Sequence, residues 1–441
     1  MGIEAAVMKP EKPKPLVVAV EMGYGHLRAA YTLADAFGVD VVRMDQPPFA
    51  GRAETLLWKS ALHSYAMLSR GSEHETWGAA AQWALGKITA IAPPPTNGSL
   101  ERPNLFSRAA DFLTGNLIGR KLRAVAEADG RRVLATFPAP AFAAQRLPGA
   151  QVFCLATDTD LNRGWAPVAA EKSRVRYFAP TARVVDRLRS FGVRSELIHL
   201  TGFPLPARLV EKAPTALACR LQRLDTSAAF RRHPPKGFAE FSRRHTPADD
   251  EGPIALTVAI GGAGAQTRQA RALVESLQEL VRSGKVKLTL IAGVRVDVAQ
   301  ALGQTVNGAG LGDRIGRGVE IHLASSLREY FRIFDDCLAA THLLWTKPSE
   351  LAFYAALGIP LLLSAPVGAQ EIANRNWLLS RGAALDAGDP RSLADRLERW
   401  LHEGELCRAA WSGYSGLARD GLDHIVDIVS TTSSRDISYT R

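Results

Sequence analysis

Short runs of β-branched and leucine-rich residues alternate along the chain with longer amphipathic stretches. In the first half the runs are LVVAV, VDVVRM, RRVLATF, QVFCLAT, VRYFAP and ELIHLTG; in the second they are IALTVAI, VKLTLIAG, VEIHLA, HLLWT and IPLLLSA. Each reads as a strand, and segments such as ARVVDRLRSFG and TRQARALVESLQELVRSG carry the helical period between them. Strands spaced this way imply parallel sheets, so the predicted fold class is α/β with two doubly wound, Rossmann-like domains. The expected boundaries are 1–205 for the first domain and 253–409 for the second. The basic, proline-rich stretch 206–252 lacks a sustained apolar period and reads as an exposed linker or insertion. Segment 410–441 is a candidate helix to pack back onto the first domain.

Composition narrows the class. The 441 residues are 46% hydrophobic and 22% charged, the balance of a globular protein with chain enough for two full cores. No apolar run reaches the roughly 18 residues of a spanning helix. The opening MGIEAAVMKPEKPKP reads as a polar lead-in rather than a signal peptide. Cys154, Cys219, Cys337 and Cys407 are scattered, without a Cys-x-x-Cys pair, which fits a reducing cytoplasm and neither disulfides nor a zinc site. A net charge of +10 favours an anionic partner, but no nucleic-acid module is recognisable and no nucleic-acid partner is expected. Residues 54–91 hold Trp58, Tyr65, Trp77 and Trp83 among leucines and alanines and read as helices that bury these rings. An exposed aromatic and basic face there would instead dock on lipid.

Three turns carry the candidate chemistry. In AVEMGYGHLRAA a strand ends at Gly23 and Gly25, and a helix opens with His26. This is the start of a dinucleotide fingerprint, with Asp45 about 20 residues on, but Arg28 fills the third position, which wants glycine or alanine. A turn that needs glycine only for its backbone is the plain alternative. Against it, His26 at a helix N-terminus is suited to be a general base titrating between about pH 5 and 8. The second turn, TVAIGGAGAQ, lets Gly262, Gly264 and Ala265 direct N–H groups at a diphosphate; no Gly-Lys-Ser/Thr follows, so it is not a Walker A loop. The third region, THLLWTKPSELAFYAALGIPLLLSAPVGAQEIANRNWLL, puts Glu350 in the first turn of a helix and Gln370 and Glu371 after the next strand. These are the carboxyl ends of adjacent strands, where open α/β sheets bind ligands. A carboxylate there can accept from a ribose diol, and a Gln-Glu pair from sugar hydroxyls. Taken singly, Glu350 also reads as a helix-dipole charge and the pair as a solvated loop.

In this order the Gly-His turn, TGFPLP, GGAGAQ and PSELAFYAALGIPLLL…GAQEIANRNWLL resemble the GT-B glycosyltransferases. The nearest in character are the monogalactosyldiacylglycerol synthases and the N-acetylglucosaminyltransferase of the lipid-linked peptidoglycan precursor. The resemblance spans most of both halves and is weakest over 50–130. It implies two Rossmann-like domains facing across a cleft. It further implies a hexosyltransferase that moves a sugar from a nucleotide diphosphate, most readily a UDP-sugar, to an unidentified acceptor. A lipid is one acceptor class it brings in, with the inner face of a membrane as the place of work. Glu350 would hold the uridine ribose, Gln370 and Glu371 the donor sugar, and Gly262, Gly264 and Ala265 the diphosphate. Backbone around Leu323 and Ala324 would read the base. His26, with Gly23 and Gly25, would face the acceptor as its base, a role Asp158 or Asp160 could share or take.

One departure from the family is the turn before the ribose glutamate, glycine-rich there and WTKPSE here, where Lys347 adds a cation near the diphosphate. A competing signal is Asp158-x-Asp160 in TDTDLNRGW, the spacing by which metal-dependent GT-A glycosyltransferases hold a divalent ion. With the nucleotide expected in the second domain, these aspartates read as lining the acceptor side, and no metal or cofactor is expected. FPAP at 137–140 is expected to shape the cleft wall. The alternatives are a nucleotide-sugar epimerase of the same fold and a catalytically inactive nucleotide-sugar-binding protein.

Overall fold

The computed structural model describes residues 14–71, 90–91, 101–103, 105–128, 132–247, 252–260 and 267–432. All the apolar runs named above form strands. The first sheet contains β1 (Leu16–Ala19), β2 (Val41–Arg43), β3 (Val133–Ala135), β4 (Val152–Leu155), β5 (Arg176–Ala179) and β6 (Ile198–Leu200). Their order is β2-β1-β3-β4-β5-β6, and every neighbouring pair is parallel. The second sheet contains β7 (Ile254–Ala259), β8 (Val286–Ile291), β9 (Val319–His322), β10 (Leu343–Thr346), β11 (Leu361–Leu363) and β12 (Ala384–Asp386), in the order β12-β11-β10-β7-β8-β9, again all parallel. Helices cover both faces, so β1, β3, β4, β10 and β11 are buried at every position, which is why they read as unbroken apolar runs. The strand order reverses between β1 and β3 and between β7 and β10. At such points successive crossovers diverge and open a crevice at the carboxyl ends of the strands.

The two halves are fused along one side. A single apolar cluster runs from Val17, Leu134 and Phe153 of the first sheet, through Leu27 and Leu33 of the helix Tyr24–Phe37, to Phe331, Leu351 and Leu361 of the second half. The helix Gly421–Thr431 returns to this cluster with Leu422, Ile425 and Val429 and packs on Tyr24–Phe37. The preceding helix, Glu405–Gly416, stays with the second half through Leu406, Cys407 and Trp411. The chain therefore crosses between the halves twice, and the crossings touch. A Cβ built on Gly421 would lie 2.5 Å from the Phe203 carbonyl oxygen and 2.7 Å from the Gly202 carbonyl carbon. Only glycine allows two backbones this close.

Residues 206–252 differ from the expected exposed linker. They contain the helices Ala207–Leu224, Ala229–Arg232 and Phe238–Arg244. Leu209, Ala213, Leu217, Leu221 and Leu224 recur at helical spacing and are buried, although intervening charges and Pro214 obscure the stripe in the sequence. Arg220 of this helix is also buried and donates to the carbonyls of Thr341 (2.7 Å), Leu357 (2.9 Å) and Leu338 (3.0 Å). It thereby satisfies carbonyls at the ends of two neighbouring helices. Arg220→Met should leave these acceptors unpaired and lower stability by about 3 kcal/mol or more in urea unfolding; a loss under about 1 kcal/mol would deny the residue this role.

Of the aromatic segment 54–91, the helix Arg52–Gly71 is described: Trp58 packs on the first-half core, while Leu56 and Leu57 are exposed. Trp77, Trp83 and the side chain of Tyr65 lie outside the described residues. Among the described residues no helix is long and apolar enough to cross a membrane.

Candidate active site

A cavity of about 610 Å³ opens where the two crevices meet. Its walls come from the turn after β1, the helix Arg52–Gly71, the loops after β3 and β4, the carboxyl end of β7, and the turns after β8, β10 and β11. Gly23, Gly25, His26, Asp158, Lys347, Glu350, Gln370 and Glu371, all singled out in the sequence, line it together. Phe137 and Pro138 of FPAP form part of the same wall. Gly262, Gly264 and Ala265 lie outside the described residues.

The glycine turn meets the other half directly. Gly23 has φ of 111°, a conformation that only glycine adopts at little cost. Gly25 is needed for a different reason, since a Cβ there would stand 2.7 Å from Oε2 of Glu350. Glu350, expected to stand open for a ribose, is buried, and its Oε1 accepts from Arg28 Nε at 3.2 Å. Arg28 sits among the rings of Tyr330, Phe331 and Phe334 and donates from Nη2 to the Tyr330 hydroxyl at 3.0 Å. In the sequence Arg28 counted only as a misfit in a dinucleotide pattern. Asp45, that pattern's ribose acid, is bound by the guanidinium of Arg43 at 2.7 and 3.0 Å.

His26 is held by its Nδ1, 2.7 Å from the Thr136 carbonyl oxygen and 3.1 Å from the Thr157 hydroxyl. A carbonyl can only accept, so Nδ1 carries the hydrogen and the Nε2 lone pair of the neutral ring is left for a ligand. The ring packs edge-on against Phe137, with centroids 4.9 Å apart. Burial pushes its pKa down to about 4, against the opposing pull of the Thr136 hydrogen bond and the Glu350 charge. The imidazole is thus neutral across the range in which it was expected to titrate.

Asp158 behaves in the opposite sense. Burial pushes it up to about 6, the amide of Asn374 opposes this, and the charges of Glu350 and Glu371 add to it. Of the four lining carboxylates, Glu21 is paired with Arg43 (2.7 Å), Glu350 with Arg28 (3.2 Å) and Glu371 with Lys347 (2.7 Å). Asp158 has no ion pair among the described residues. Its partner is Asn374 Nδ2 at 3.0 Å. Asn374, fully buried in the helix Ala369–Ser380, also donates to Pro348 O (3.1 Å) and accepts from the N–H (2.9 Å) and hydroxyl (2.8 Å) of Thr159. All four hydrogen-bonding positions of this amide are used, and three of them join the two halves. Neither Arg28 nor Asn374 was legible as a site residue, because each acts on a partner hundreds of positions away.

One expectation is corrected, and others gain contacts that the sequence did not show. Asp160 is no part of the cavity wall: it accepts from Arg187 (2.8 and 3.0 Å), Arg183 (3.0 Å) and the Leu161 N–H (2.8 Å), which makes it a structural anchor. The chain bends over residues 158–160, and the bend leaves Asp158 on the cavity wall and Asp160 against Arg183 and Arg187. Among the described residues no group of three or more His, Cys, Asp or Glu could hold a metal. Lys347 and Glu371, expected to serve diphosphate and sugar, also bind each other, and Glu371 accepts from the Val367 N–H at 2.8 Å. Leu323 is exposed outside the described lining, and the Ala324 N–H is already given to the Gly293 carbonyl at 2.9 Å.

Comparison with known proteins bears on the fold. A UDP-GlcNAc 2-epimerase from Neisseria meningitidis, solved with UDP-GlcNAc bound, superposes with a TM-score of 0.50 over 95% of this chain and 100% of its own, at 13% identity. The fold is of the GT-B type. The glycosyltransferase SnogD from Streptomyces nogalater aligns over 95% of the chain and 100% of its own with a TM-score of 0.45 and 13% identity. Among curated sequences, a processive diacylglycerol beta-glucosyltransferase from Bacillus subtilis (strain 168) is 22% identical over 235 residues. That match takes in 53% of this chain and 50% of the relative, so the chain is matched to about half of the relative's length. A family model described as a domain of unknown function (DUF6938) matches residues 239–324, which run from the helix Phe238–Arg244 to the end of β9 in the second GT-B half.

Proposed function

We propose that the chain is a metal-independent glycosyltransferase that moves a hexosyl group from a UDP-sugar to an acceptor hydroxyl. The observation that carries this reading is the meeting of both switch-point crevices in one cavity. There His26 and Asp158 come from one half, and Lys347, Glu350, Gln370 and Glu371 from the other. In the proposed reaction the acceptor oxygen attacks the anomeric carbon, the bond to the diphosphate breaks, and the hydroxyl proton passes to a base. Asp158 suits that role better than His26, because a base of pKa about 6 accepts a proton more readily near neutrality than one of about 4. His26 Nε2 is then a hydrogen-bond acceptor that orients the hydroxyl. Glu350 binds the ribose, Gln370 and the Lys347–Glu371 pair bind the sugar, and Lys347, with the glycine-rich sequence Gly262, Gly264 and Ala265, stabilises departing UDP. Asp160, whose four acceptor positions are taken by two guanidinium groups and the Leu161 N–H, has no lone pair to spare for a divalent ion, which is the basis for metal independence.

The test is incubation with a UDP-hexose panel and candidate acceptors. Diacylglycerol comes first, since it is in the curated relative's name, and vesicles that carry it would also report contact with a membrane face. Glycosylated acceptor with stoichiometric UDP, retained in EDTA, is expected. A second reading is favoured by the epimerase among the structural neighbours and by the carboxylates on the wall: formation of a 2-epimer of UDP-GlcNAc without transfer would establish it instead. Tight UDP-sugar binding with no turnover would leave a binding protein.

A further inference from the structure

Two ion pairs sort the charges on the second-half wall, and only one of them crosses the cleft. Lys347 pairs with Glu371 inside the second half, whereas Glu350 is paired with an arginine of the first half. That arginine is 2% exposed, and its setting is supplied by the other half: the Tyr330 hydroxyl on Nη2 and the faces of Phe334, Phe331 and Tyr330 at 4.1, 4.8 and 5.5 Å from the guanidinium carbon. Such a guanidinium has no rotamer to move to. It fixes Oε1 of Glu350, while Oε2 lies over Gly25 and accepts no hydrogen bond among the described residues.

We propose that Arg28 is a positioning residue for nucleotide recognition: by fastening one oxygen of Glu350, it presents the carboxylate in one orientation to the ribose diol of the donor. This rests on the reading of Glu350 as the ribose-binding group. Its consequence is that the first half takes part in reading the nucleotide. Arg28 lies two residues after His26 on the same helix, so a carboxylate oriented for ribose exists only when the acceptor-side helix is docked. A freely rotating glutamate would still attract donors to the cavity but would lose directional preference for a 2′-hydroxyl, since a hydrogen bond depends steeply on alignment.

The test compares UDP with 2′-deoxy-UDP by titration calorimetry on the whole protein. The wild type should bind UDP about tenfold or more tightly than the deoxy analogue, the worth of a hydrogen bond to a charged acceptor. Glu350→Gln should reduce that ratio several-fold. Arg28→Met should bring it close to one. Tyr330→Phe, which keeps the ring and removes only the hydroxyl that anchors Nη2, should reduce the ratio about threefold and serves if Arg28→Met does not fold. A merely structural arginine would lower the melting temperature and leave the ratio in the folded fraction unchanged. If Glu350→Gln loses discrimination while Tyr330→Phe and any folded Arg28→Met keep the wild-type ratio, Arg28 only fastens the halves and the proposal is wrong. If the wild type binds UDP and 2′-deoxy-UDP alike, or neither, the ribose reading of Glu350 falls, and the proposal with it.

Discussion

Glu350→Ala should destabilise the protein by about 3–5 kcal/mol, a large share of the roughly 5–15 kcal/mol that holds a typical domain folded. The reason is the charge left behind. Arg28 is 2% exposed, is surrounded by aromatic rings and loses its ion-pair partner when Glu350 is gone. Removing one partner of a buried pair is far costlier than removing both. The double variant Arg28→Met with Glu350→Leu should therefore recover most of the lost stability in urea unfolding. It should not recover nucleotide binding, which is expected to stay at least tenfold weaker than wild type. A single Glu350→Ala variant that unfolds within about 1 kcal/mol of wild type would show that the pair does not hold the halves together.

Asp158→Asn should lower turnover by two to four orders of magnitude while leaving UDP affinity within a few-fold, the scale for loss of a general base. The pH dependence separates this from an effect of His26. A carboxylate must be ionised to accept a proton, and burial pushes Asp158 up to about 6, so the wild-type rate should rise through a limb centred near pH 6. His26, pushed down to about 4 by its surroundings, stays neutral over that limb and would give one only near pH 4. The Asn variant should have lost the limb near 6. A limb near 6 that persists in the residual activity would move the base to another group.

Most of the scaffold was legible because strands covered on both faces appear as continuous apolar runs, with glycine or proline at their ends. β12 escaped because it is a three-residue edge strand in which only Ala384 is buried. The helix Ala207–Leu224 escaped because its buried leucines lie among charges that include Arg220, a buried cation whose partners are backbone carbonyls and leave no trace in the sequence. For the site, the carboxyl ends of adjacent strands pointed to Glu350 and Glu371, the resemblance set His26 and Asp158 across a cleft from them, and all four line one cavity. Their pairings were not foretold. Gly25 could be read as a backbone requirement, but the Glu350 oxygen that imposes it comes from 325 residues away, counted from position 25 to position 350. Asp158 and Asp160 look alike in sequence, and only packing shows that two guanidinium groups take one and leave the other in the cavity.

The most direct measurement of the central claim is an experimental structure of the protein with UDP bound. The ribose hydroxyls should lie within hydrogen-bonding distance of Glu350, with Arg28 still on its other oxygen. The diphosphate should run toward Lys347, leaving the wall of His26 and Asp158 open for an acceptor. A nucleotide seated elsewhere, or in the cavity with its ribose turned from Glu350, would contradict the account.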